Sequence, residues 1–308
     1  MQTVFVGEYI KRRRKELKLT QEEVCEGICD PTTLSRIENG RQTPSKTKIN
    51  ALLQRLGLPD SRYYAVASKN ELEVEALKKE IVGCNITERA EEGFAKLEKL
   101  SRITAEDDLL TRQFILRSQI LLGKMKGRYS LQEQLDLLMQ AIHLTIPKFR
   151  LDEINQFLYT FDEVKIINQI VLCYSDLEQR VTALSIYQQL LKYIRCHNQE
   201  VTITGNGLLP LVLHNYAREL GLAKQYKECI QAAQEGQEVC IRYGHYQFLP
   251  GFIAIMAECY FFCGDAEKSK EYYLQAYYTY LSLKDKIGIE EVKEEAKKRL
   301  NLDFNQAL

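Results

Sequence analysis

The sequence predicts an all-α fold in two parts, a small helical head followed by a longer body of repeated helix pairs. Three observations lead to this prediction. Residues 20–40 contain two short helices with clear start and stop signals. One spacing of small and large side chains recurs five times between residues 90 and 276. From about residue 71 onward the apolar side chains follow a helical period, with no strand pattern.

The first predicted helix runs from Gly7 to Lys18 and places Ile10 and Leu17 on one apolar face. Its other faces carry a basic run made of Lys11, Arg12, Arg13, Lys15 and Lys18. A solvated surface is one interpretation of this run, and a surface that meets phosphate groups is the other. We favour the second because of the two helices that follow.

The second predicted helix extends from Gln21 to about Gly27, with Val24 pointing inward. Thr20 stands at its N-cap position, and Glu23 three residues later completes a capping box. The third predicted helix begins only a few residues further on. Two short helices joined by so tight a turn are typical of a helix-turn-helix motif.

The third predicted helix spans residues 31–38, with Asp30 as its N-cap and Pro31 at its first position, where no N–H is needed. Asn39-Gly40 supplies a left-handed stop. Helical spacing turns Leu34 and Ile37 into the core. The opposite face carries Thr32, Thr33 and Arg36. A fourth helix is predicted at about 45–56 from the period of Ile49, Leu52, Leu53 and Leu56.

Three sequence runs in this head resemble one known family. Leu19-Thr20-Gln21-Glu22-Glu23-Val24, Leu34-Ser35-Arg36-Ile37-Glu38-Asn39-Gly40 and Thr43-Pro44-Ser45 resemble the lambda-repressor-like, XRE-type DNA-binding domain over about residues 5–60. The resemblance implies a five-helix head whose third helix lies in the major groove of DNA. It also implies an ion pair that joins the first helix to the third, between Arg14 and Glu38.

The same resemblance implies which side chains meet DNA. Gln21 would grip a phosphate or brace a recognition side chain. Base edges would be faced by Thr32, Thr33 and Arg36, and the DNA backbone by Arg41 and Gln42. The chemistry is suitable, since arginine can bind guanine through two hydrogen bonds and threonine methyl groups can pack on thymine. The alternative is that the two threonines only add polar groups to the helix N-terminus and that Arg36 is only solvated.

The helical pattern breaks after residue 57, and we predict a linker at about 58–70. The DNA-binding domain would then occupy residues 1–66 and the body residues 71–308. Because the linker contains no Gly/Ser-rich tether, we expect the head and the body to be coupled.

Five residue triplets with one spacing, four and then three residues apart, indicate a repeat in the body. The triplets are Ala90-Phe94-Leu97, Gln134-Leu138-Ala141, Ala183-Tyr187-Leu190, Cys229-Ala233-Gly236 and Ser269-Tyr273-Ala276. Residues 257–276 resemble a tetratricopeptide repeat, although the earlier units are longer and degenerate. Five helix pairs and a terminal helix at about 288–300 would stack into a right-handed α-solenoid, because no pair can bury its apolar face alone.

Solenoids of this kind bind extended peptides in their concave face, which the first helix of each pair lines. The candidate lining residues are Asn168, Tyr174, His214, Asn215, Arg218, Glu258 and Tyr260. An asparagine amide can donate to and accept from a peptide backbone, and an arginine can pair with a carboxylate. The alternative is that these are ordinary polar residues of repeat helices.

An XRE-type head joined to five degenerate tetratricopeptide pairs resembles the PlcR/Rgg/PrgX group of peptide-pheromone-responsive transcriptional regulators over nearly the whole chain. The group carries peptide-binding asparagines that correspond to Asn168 and Asn215. The resemblance implies a dimeric quorum-sensing regulator that binds a palindromic double-stranded operator and a short signalling peptide. The alternative function keeps the DNA-binding head but makes the body a protein–protein or self-association platform without a peptide ligand.

Bulk properties agree with a regulator that works without a cofactor. Residues 1–66 carry 12 Lys/Arg against 8 Asp/Glu, whereas the remainder carries 30 against 34. The nine cysteines include no Cys-x-x-Cys pair, and no metal-binding spacing or phosphate loop is present. Most of these cysteines would be small buried hydrophobic residues, with a thiol redox switch as the alternative. We therefore predict a cytoplasmic protein that is not an enzyme, binds no metal and does not associate with a membrane.

Overall fold

The computed structural model describes residues 6–58, 69–197 and 207–304, with the side chains of residues 69–71 left out. The described head contains four helices, α1 (Val6–Glu16), α2 (Gln21–Cys25), α3 (Pro31–Glu38) and α4 (Lys46–Arg55). The predicted linker at 58–70 lies almost entirely outside the described residues. A fifth head helix, which the family resemblance implies, would also fall there.

The predicted caps of the head helices are present. The hydroxyl oxygen of Thr20 accepts a hydrogen bond from the Glu23 N–H, and the Glu23 carboxylate accepts one from the Thr20 N–H, at 3.2 and 2.6 Å. Asp30 caps α3 by accepting from the Thr33 N–H at 2.7 Å. The helices α1 and α2 end about two residues before their predicted limits, because Lys18 and Gly27 both have positive φ angles.

Within the described residues the body contains eleven helices, the number that five helix pairs and a terminal helix require. The helices are α5 (Lys69–Ile86), α6 (Ala90–Ile103), α7 (Leu109–Met125), α8 (Leu131–His143), α9 (Phe161–Asp176), α10 (Arg180–His197), α11 (Leu208–Leu222), α12 (Tyr226–Tyr243), α13 (Leu249–Phe262), α14 (Ala266–Leu283) and α15 (Lys286–Leu300). A single 3₁₀ turn, Ile154–Gln156, precedes α9. Pro210 lies in the first turn of α11, where a missing N–H breaks no helical hydrogen bond.

The predicted repeat triplets lie on α6, α8, α10, α12 and α14, and all of their members are buried except the half-buried Phe94. The last two pairs share a further contact at the start of the triplet. Cys229 Sγ donates to the Ala217 carbonyl at 3.0 Å, and Ser269 Oγ donates to the Ala257 carbonyl at 2.8 Å. In both pairs the donor lies twelve residues after the acceptor, so the repeat extends to individual hydrogen bonds.

The chain divides into two compact units, residues 1–178 and 179–308. The head therefore belongs to the same unit as the first body helices, and its apolar core is packed against Leu110 and Leu158. The domain boundary at residues 66–71 stays a prediction. Within the described ranges, no helix combines the length and the apolar character needed to span a bilayer.

Candidate functional site

The outer face of α3 presents the side chains that the sequence indicates as base contacts. Thr32 and Arg36 are exposed, and Thr33 is half-buried. Beyond the helix end, Arg41 and Gln42 are also exposed. The α3 helix therefore offers one polar face to solvent while its apolar face closes the core of the head.

The C-terminus of α3 is fixed by a closed turn. The Gly40 N–H donates to the Ile37 carbonyl at 3.1 Å, and the Arg41 N–H donates to the Arg36 carbonyl at 2.8 Å. Gly40 has a φ angle of +67°, as this motif requires. The backbone of Arg41 is therefore held next to the last turn of the helix that carries Arg36.

The N-terminus of α3 uses one of the predicted contact residues for its own cap. Thr33 Oγ1 donates to Asp30 Oδ2 at 2.6 Å, in addition to the backbone bond to the same carboxylate. These hydrogen bonds from Thr33 hold the pKa of Asp30 below its ordinary value. The Thr33 hydroxyl is thus engaged within the head, whereas Thr32 and Arg36 remain at its surface.

A buried polar network fixes α3 against α1 and α2. Arg14 donates through Nε and Nη2 to the two carboxylate oxygens of Glu38, at 2.6 and 2.8 Å. Gln21 Nε2 donates to Glu38 Oε2 at 2.8 Å. Burial alone would raise the pKa of Glu38, but the hydrogen bonds from Arg14 and Gln21 keep it below the ordinary value. Gln21 therefore braces the network through Glu38.

The pKa of Glu38 predicts how the stability of the head depends on pH. Because the pKa is lowered in the folded state, the stabilisation is present above the unfolded value, near 4.5, and is lost as the pH falls through the folded value. We expect Glu38→Gln to lower the free energy of unfolding by about 1.5–3 kcal/mol at pH 7. This difference should shrink steadily in urea titrations below about pH 4.5. Glu16→Gln, at an exposed pair, is the control, and a pH-independent difference for Glu38→Gln would contradict the assignment.

The basic run on α1 is divided between internal contacts and open surface. Lys11 Nζ donates to Asn39 Oδ1 at 2.7 Å, and Arg13 Nε donates to the Leu56 carbonyl at 3.3 Å. Arg12 is exposed, but its Nε lies 3.7 Å from Glu16 Oε1 and its guanidinium carbon lies 5.1 Å from the Tyr9 ring centroid. Lys15 and Lys18 are also exposed, and of the five cations these two are the best placed to meet phosphate.

A second buried network, which the sequence did not predict, joins the head to the body within the first unit. Arg55 Nη2, at the end of α4, lies 3.2 Å from Glu163 Oε1 in the first turn of α9, and their side chains are 1% and 0% exposed. Arg55 Nη1 also donates to the Glu26 carbonyl. Thr145 Oγ1 and the Thr160 N–H each donate to the Glu163 carboxylate at 2.6 Å.

Two further contacts complete this head–body junction. Gln113 Nε2 on α7 donates to Thr145 Oγ1 at 2.7 Å, and the Phe161 N–H on α9 donates to Gln54 Oε1 on α4 at 3.0 Å. The Thr160-x-x-Glu163 capping box is visible in the sequence. Nothing in the sequence indicates that Arg55 reaches it.

The predicted peptide-binding residues all lie on the first helices of their pairs. In the first unit, α9 carries Asn168, which is 5% exposed, and the half-buried Tyr174. In the second unit, α11 carries the half-buried His214 and Asn215 and the exposed Arg218. The two asparagines therefore belong to different units.

His214 contacts residues of α11 and α13 in the second unit. Its ring packs edge-on against Phe252, with centroids 5.4 Å apart, and it shares a hydrogen bond with Asn215. A Cβ at Gly251 would approach His214 Nε2 to 2.6 Å, so α13 crosses closely here. Burial lowers the pKa of His214 first of all, and the Arg218 charge adds to this effect, while the Asn215 hydrogen bond opposes it.

The two predicted residues on α13 already have partners. Glu258 forms an ion pair with Arg299 of α15. Tyr260 packs against Tyr272 at 5.1 Å between centroids, and Lys268 Nζ lies 5.2 Å from the Tyr260 ring centroid. These contacts give both residues a structural role at the end of the body. Among the described residues, no group of three His, Cys, Asp or Glu side chains is placed to hold a metal ion.

Comparisons with known proteins agree with this architecture. A helix-turn-helix family model matches residues 10–61. A search of curated protein sequences finds no match. Among solved structures, the chain is similar to Bacillus thuringiensis PlcR in complex with the peptide PapR7 and DNA, with a TM-score of 0.60 and 18% identity over 97% of this chain and 100% of that chain. The apo form of PlcR gives a TM-score of 0.59 and 18% identity, over 93% and 97% of the two chains.

Another similar structure is aspartyl phosphate phosphatase F from Bacillus subtilis, with a TM-score of 0.56 and 14% identity over 97% of this chain and 82% of that chain. Because a phosphatase shares the fold, the fold alone does not decide the function. The head is more specific, since its sequence and its geometry both indicate the same motif. The chain carries an XRE-type helix-turn-helix DNA-binding domain at its N-terminus and, as a whole, has the fold of PlcR, with a tetratricopeptide-like body.

Proposed function

We propose that this protein is a cytoplasmic, sequence-specific transcriptional regulator whose DNA binding is controlled by a short peptide bound to the body. The DNA-binding part of this proposal is supported by the exposed polar face of α3, which the buried Arg14–Glu38–Gln21 network holds in place. A rigid helix with an exposed arginine and threonine is suited to reading base edges in the major groove. One head reads a half-site, so the regulator would act as a homodimer on a palindromic operator.

Within the DNA-binding surface, the structure supports different roles for the proposed residues. Arg36 and Thr32 would read bases, because both are exposed on α3. The Thr33 hydroxyl is bound to Asp30, which leaves an apolar contact through its methyl group as its proposed role. Arg41, Gln42, Lys15 and Lys18 would contact phosphates. Gln21 would act indirectly, through Glu38.

Arg36→Ala is expected to weaken binding to the preferred DNA sequence by about 5- to 150-fold, which corresponds to about 1–3 kcal/mol for one lost bidentate base contact. The preferred sequence would first be selected from a random duplex library with the full chain, and affinities would then be measured by fluorescence anisotropy at fixed salt. Lys15→Ala is the matched control. This substitution should lower the affinity for all DNA sequences about equally and reduce the salt dependence of binding. Unchanged sequence preference in Arg36→Ala would contradict base reading.

The peptide half of the proposal is supported by the fold shared with PlcR, whose solved complex contains the peptide PapR7 and DNA. Asn215, with His214 and Arg218 beside it, gives α11 a polar, partly exposed surface suited to a peptide backbone and a carboxylate. In the first unit, Asn168 and Tyr174 on α9 are the proposed peptide contacts, and Tyr174 is the more exposed of the two. Glu258 and Tyr260 would act mainly through their contacts with α15 and α14.

Asn215→Ala is expected to reduce peptide affinity by about 5- to 10-fold while leaving DNA binding unchanged, because one hydrogen-bonding amide contributes about 1 kcal/mol. A library of short synthetic peptides would be screened by the thermal shift of the full chain, and the best binder titrated by calorimetry. Asn168→Ala should act in the same direction. The alternative function, a protein–protein platform, is favoured if no peptide shifts the unfolding temperature and DNA affinity does not respond to any of them.

A further inference from the structure

Two cysteines flank the turn of the helix-turn-helix motif. Cys25 is the last residue of α2, and Cys29 directly precedes the N-cap of α3. The backbone between them forms a closed turn, since the N–H groups of Ile28 and Cys29 both donate to the Cys25 carbonyl, at 2.9 and 3.0 Å. The Cys25 thiol is 2% exposed, whereas Cys29 is half-buried. The pair thus has one thiol that reagents can reach and one that is shielded from solvent and donates to the Glu22 carbonyl at 3.8 Å.

The surroundings of Cys29 favour its thiolate. A hydrogen bond from Cys25 lowers the pKa of Cys29, while burial opposes this effect. The cations Lys48 and Arg55 lower the pKa further, against the opposing charge of Asp30. Arg55 is fixed in place, since it is buried in the head–body junction. A partly exposed cysteine among cations and beside a second thiol has the features of a reactive thiol.

Another thiol pair in the same chain provides a contrast. Cys229 Sγ and Cys259 Sγ are 3.1 Å apart, so proximity alone would favour this pair. Both are buried, however, and the pKa of Cys259 is raised by its hydrogen bond to Cys229 and by burial. Burial also raises the pKa of Cys173 to about 11 and that of Cys240 to about 12. These four thiols are all buried, so a peroxide in solution does not reach them as it reaches the half-buried Cys29. The hydrogen bond to Cys29 and burial raise the pKa of Cys25 as well, which suits Cys25 to the later, resolving step and not to the first attack.

We propose that Cys29 is a modification site for small hydroperoxides and that Cys25 is its resolving cysteine. The Cys29 thiolate attacks one peroxide oxygen, the O–O bond breaks, and the other oxygen leaves as hydroxide or alkoxide that takes a proton from water. The sulfur is oxidised to sulfenic acid, and the peroxide is reduced to water or an alcohol. The Cys25 sulfur then attacks Cys29 Sγ and displaces hydroxide, which leaves as water with the Cys25 proton, so that a disulfide forms.

The disulfide would change the shape of the turn. The backbone between the two cysteines is not helical, since Glu26 has a ψ angle of 125° and Gly27 a φ angle of +67°. A disulfide requires Cβ atoms about 3.5–4.5 Å apart, so closing the bond imposes that distance between the end of α2 and the residue before α3. The residue between them that must accommodate this change is Gly27, whose φ angle is +67° and which packs on the Thr145 backbone. If the proposed DNA-binding function holds, oxidation displaces the recognition helix and weakens DNA binding.

The chemical part is tested without DNA. The reduced full chain is treated with stoichiometric hydrogen peroxide, quenched with an alkylating reagent and analysed by intact mass and peptide mapping. We expect the loss of two hydrogens, mapped to the peptide that contains Cys25 and Cys29, with Cys229 and Cys259 still reduced. Cys25→Ser should stop at a sulfenic acid that dimedone traps, and Cys29→Ser should abolish the reaction. Oxidation of the exposed Cys196 or Cys263 ahead of Cys29 would overturn the proposal.

The functional part uses the same samples. The operator affinity of the reduced chain should fall at least about tenfold on oxidation, which corresponds to about 1.4 kcal/mol, and should recover after dithiothreitol. Cys29→Ser should bind DNA with an affinity that peroxide does not change. A chain that forms the disulfide yet binds DNA equally well in both states overturns the effect on DNA binding. A reduced chain that binds no DNA sequence would instead overturn the proposed function and leave the thiol chemistry intact.

Discussion

Replacing Glu163 with glutamine is expected to lower the free energy of unfolding by about 3–5 kcal/mol, because it leaves the buried Arg55 cation without its counter-charge. The two side chains are 1% and 0% exposed, so water cannot take the place of the carboxylate. The substitution also weakens the acceptor for Thr145 and for the Thr160 N–H. Urea titration of the full chain, followed by far-UV circular dichroism, measures the effect.

Glu98→Gln is the matched control for this prediction. Glu98 also pairs with an arginine, Arg102, but the two side chains are 67% and 74% exposed. Exposed pairs of this type contribute less than about 1 kcal/mol. Adding Arg55→Met to Glu163→Gln should recover part of the loss, because the unpaired cation is then gone. A loss below about 1 kcal/mol for Glu163→Gln would show that the junction is not an essential buried ion pair.

Gly27→Ala is expected to destabilise the protein more than Gly40→Ala, although both glycines have a φ angle of +67°. An L-residue with this left-handed backbone costs about 1–2 kcal/mol at either position. Around Gly40 nothing lies within 4 Å of an added Cβ, whereas at Gly27 the Cβ would overlap the Thr145 carbonyl. Overpacking of this kind adds about 1–3 kcal/mol. The difference between the two variants therefore isolates the contact between the turn and the body.

This comparison is measured by thermal unfolding of both variants beside the unchanged chain. A lower melting temperature for Gly27→Ala than for Gly40→Ala is the expected order. Hydrogen exchange should also show faster exchange of the α4 and α9 amides in Gly27→Ala alone, because the clash separates the head from the body. An equal decrease in melting temperature for the two variants would mean that Gly27 does not contact the Thr145 backbone in solution.

The head was predictable from the sequence because its signals are local. The Thr20 capping box, the Asp30–Pro31 start and the Gly40 stop each act within a few residues, and all three are present in the structure. The repeat triplets of the body were also predictable, because one helical face must be buried in every pair. Most of the fold could therefore be predicted from local and periodic sequence patterns.

The head–body junction was not predictable because it depends on two residues 108 positions apart. An arginine at the end of an amphipathic helix is normally a surface residue, and only the packing of α4 on the body buries Arg55. The same limit applies to Lys11 and Gln21. The sequence predicts a phosphate contact for Lys11, and for Gln21 either a phosphate contact or a brace; the structure gives both side chains partners inside the head. Sequence spacing assigns a residue to a face, and tertiary packing decides its partner.

The position of Glu163 makes α9 a mechanical link as well as a repeat helix. Glu163, in the first turn of α9, forms the ion pair with Arg55 of the head. Asn168 follows five residues later and Tyr174 eleven residues later on the same helix. At 1.5 Å per residue these are distances of about 7.5 and 16.5 Å along the axis. A ligand that rotated or slid this one helix by an ångström would move the anchor point of the head by a similar amount. Transmission from body to head would then require no long relay of side chains, because the proposed peptide contacts and the anchoring carboxylate share a single helix.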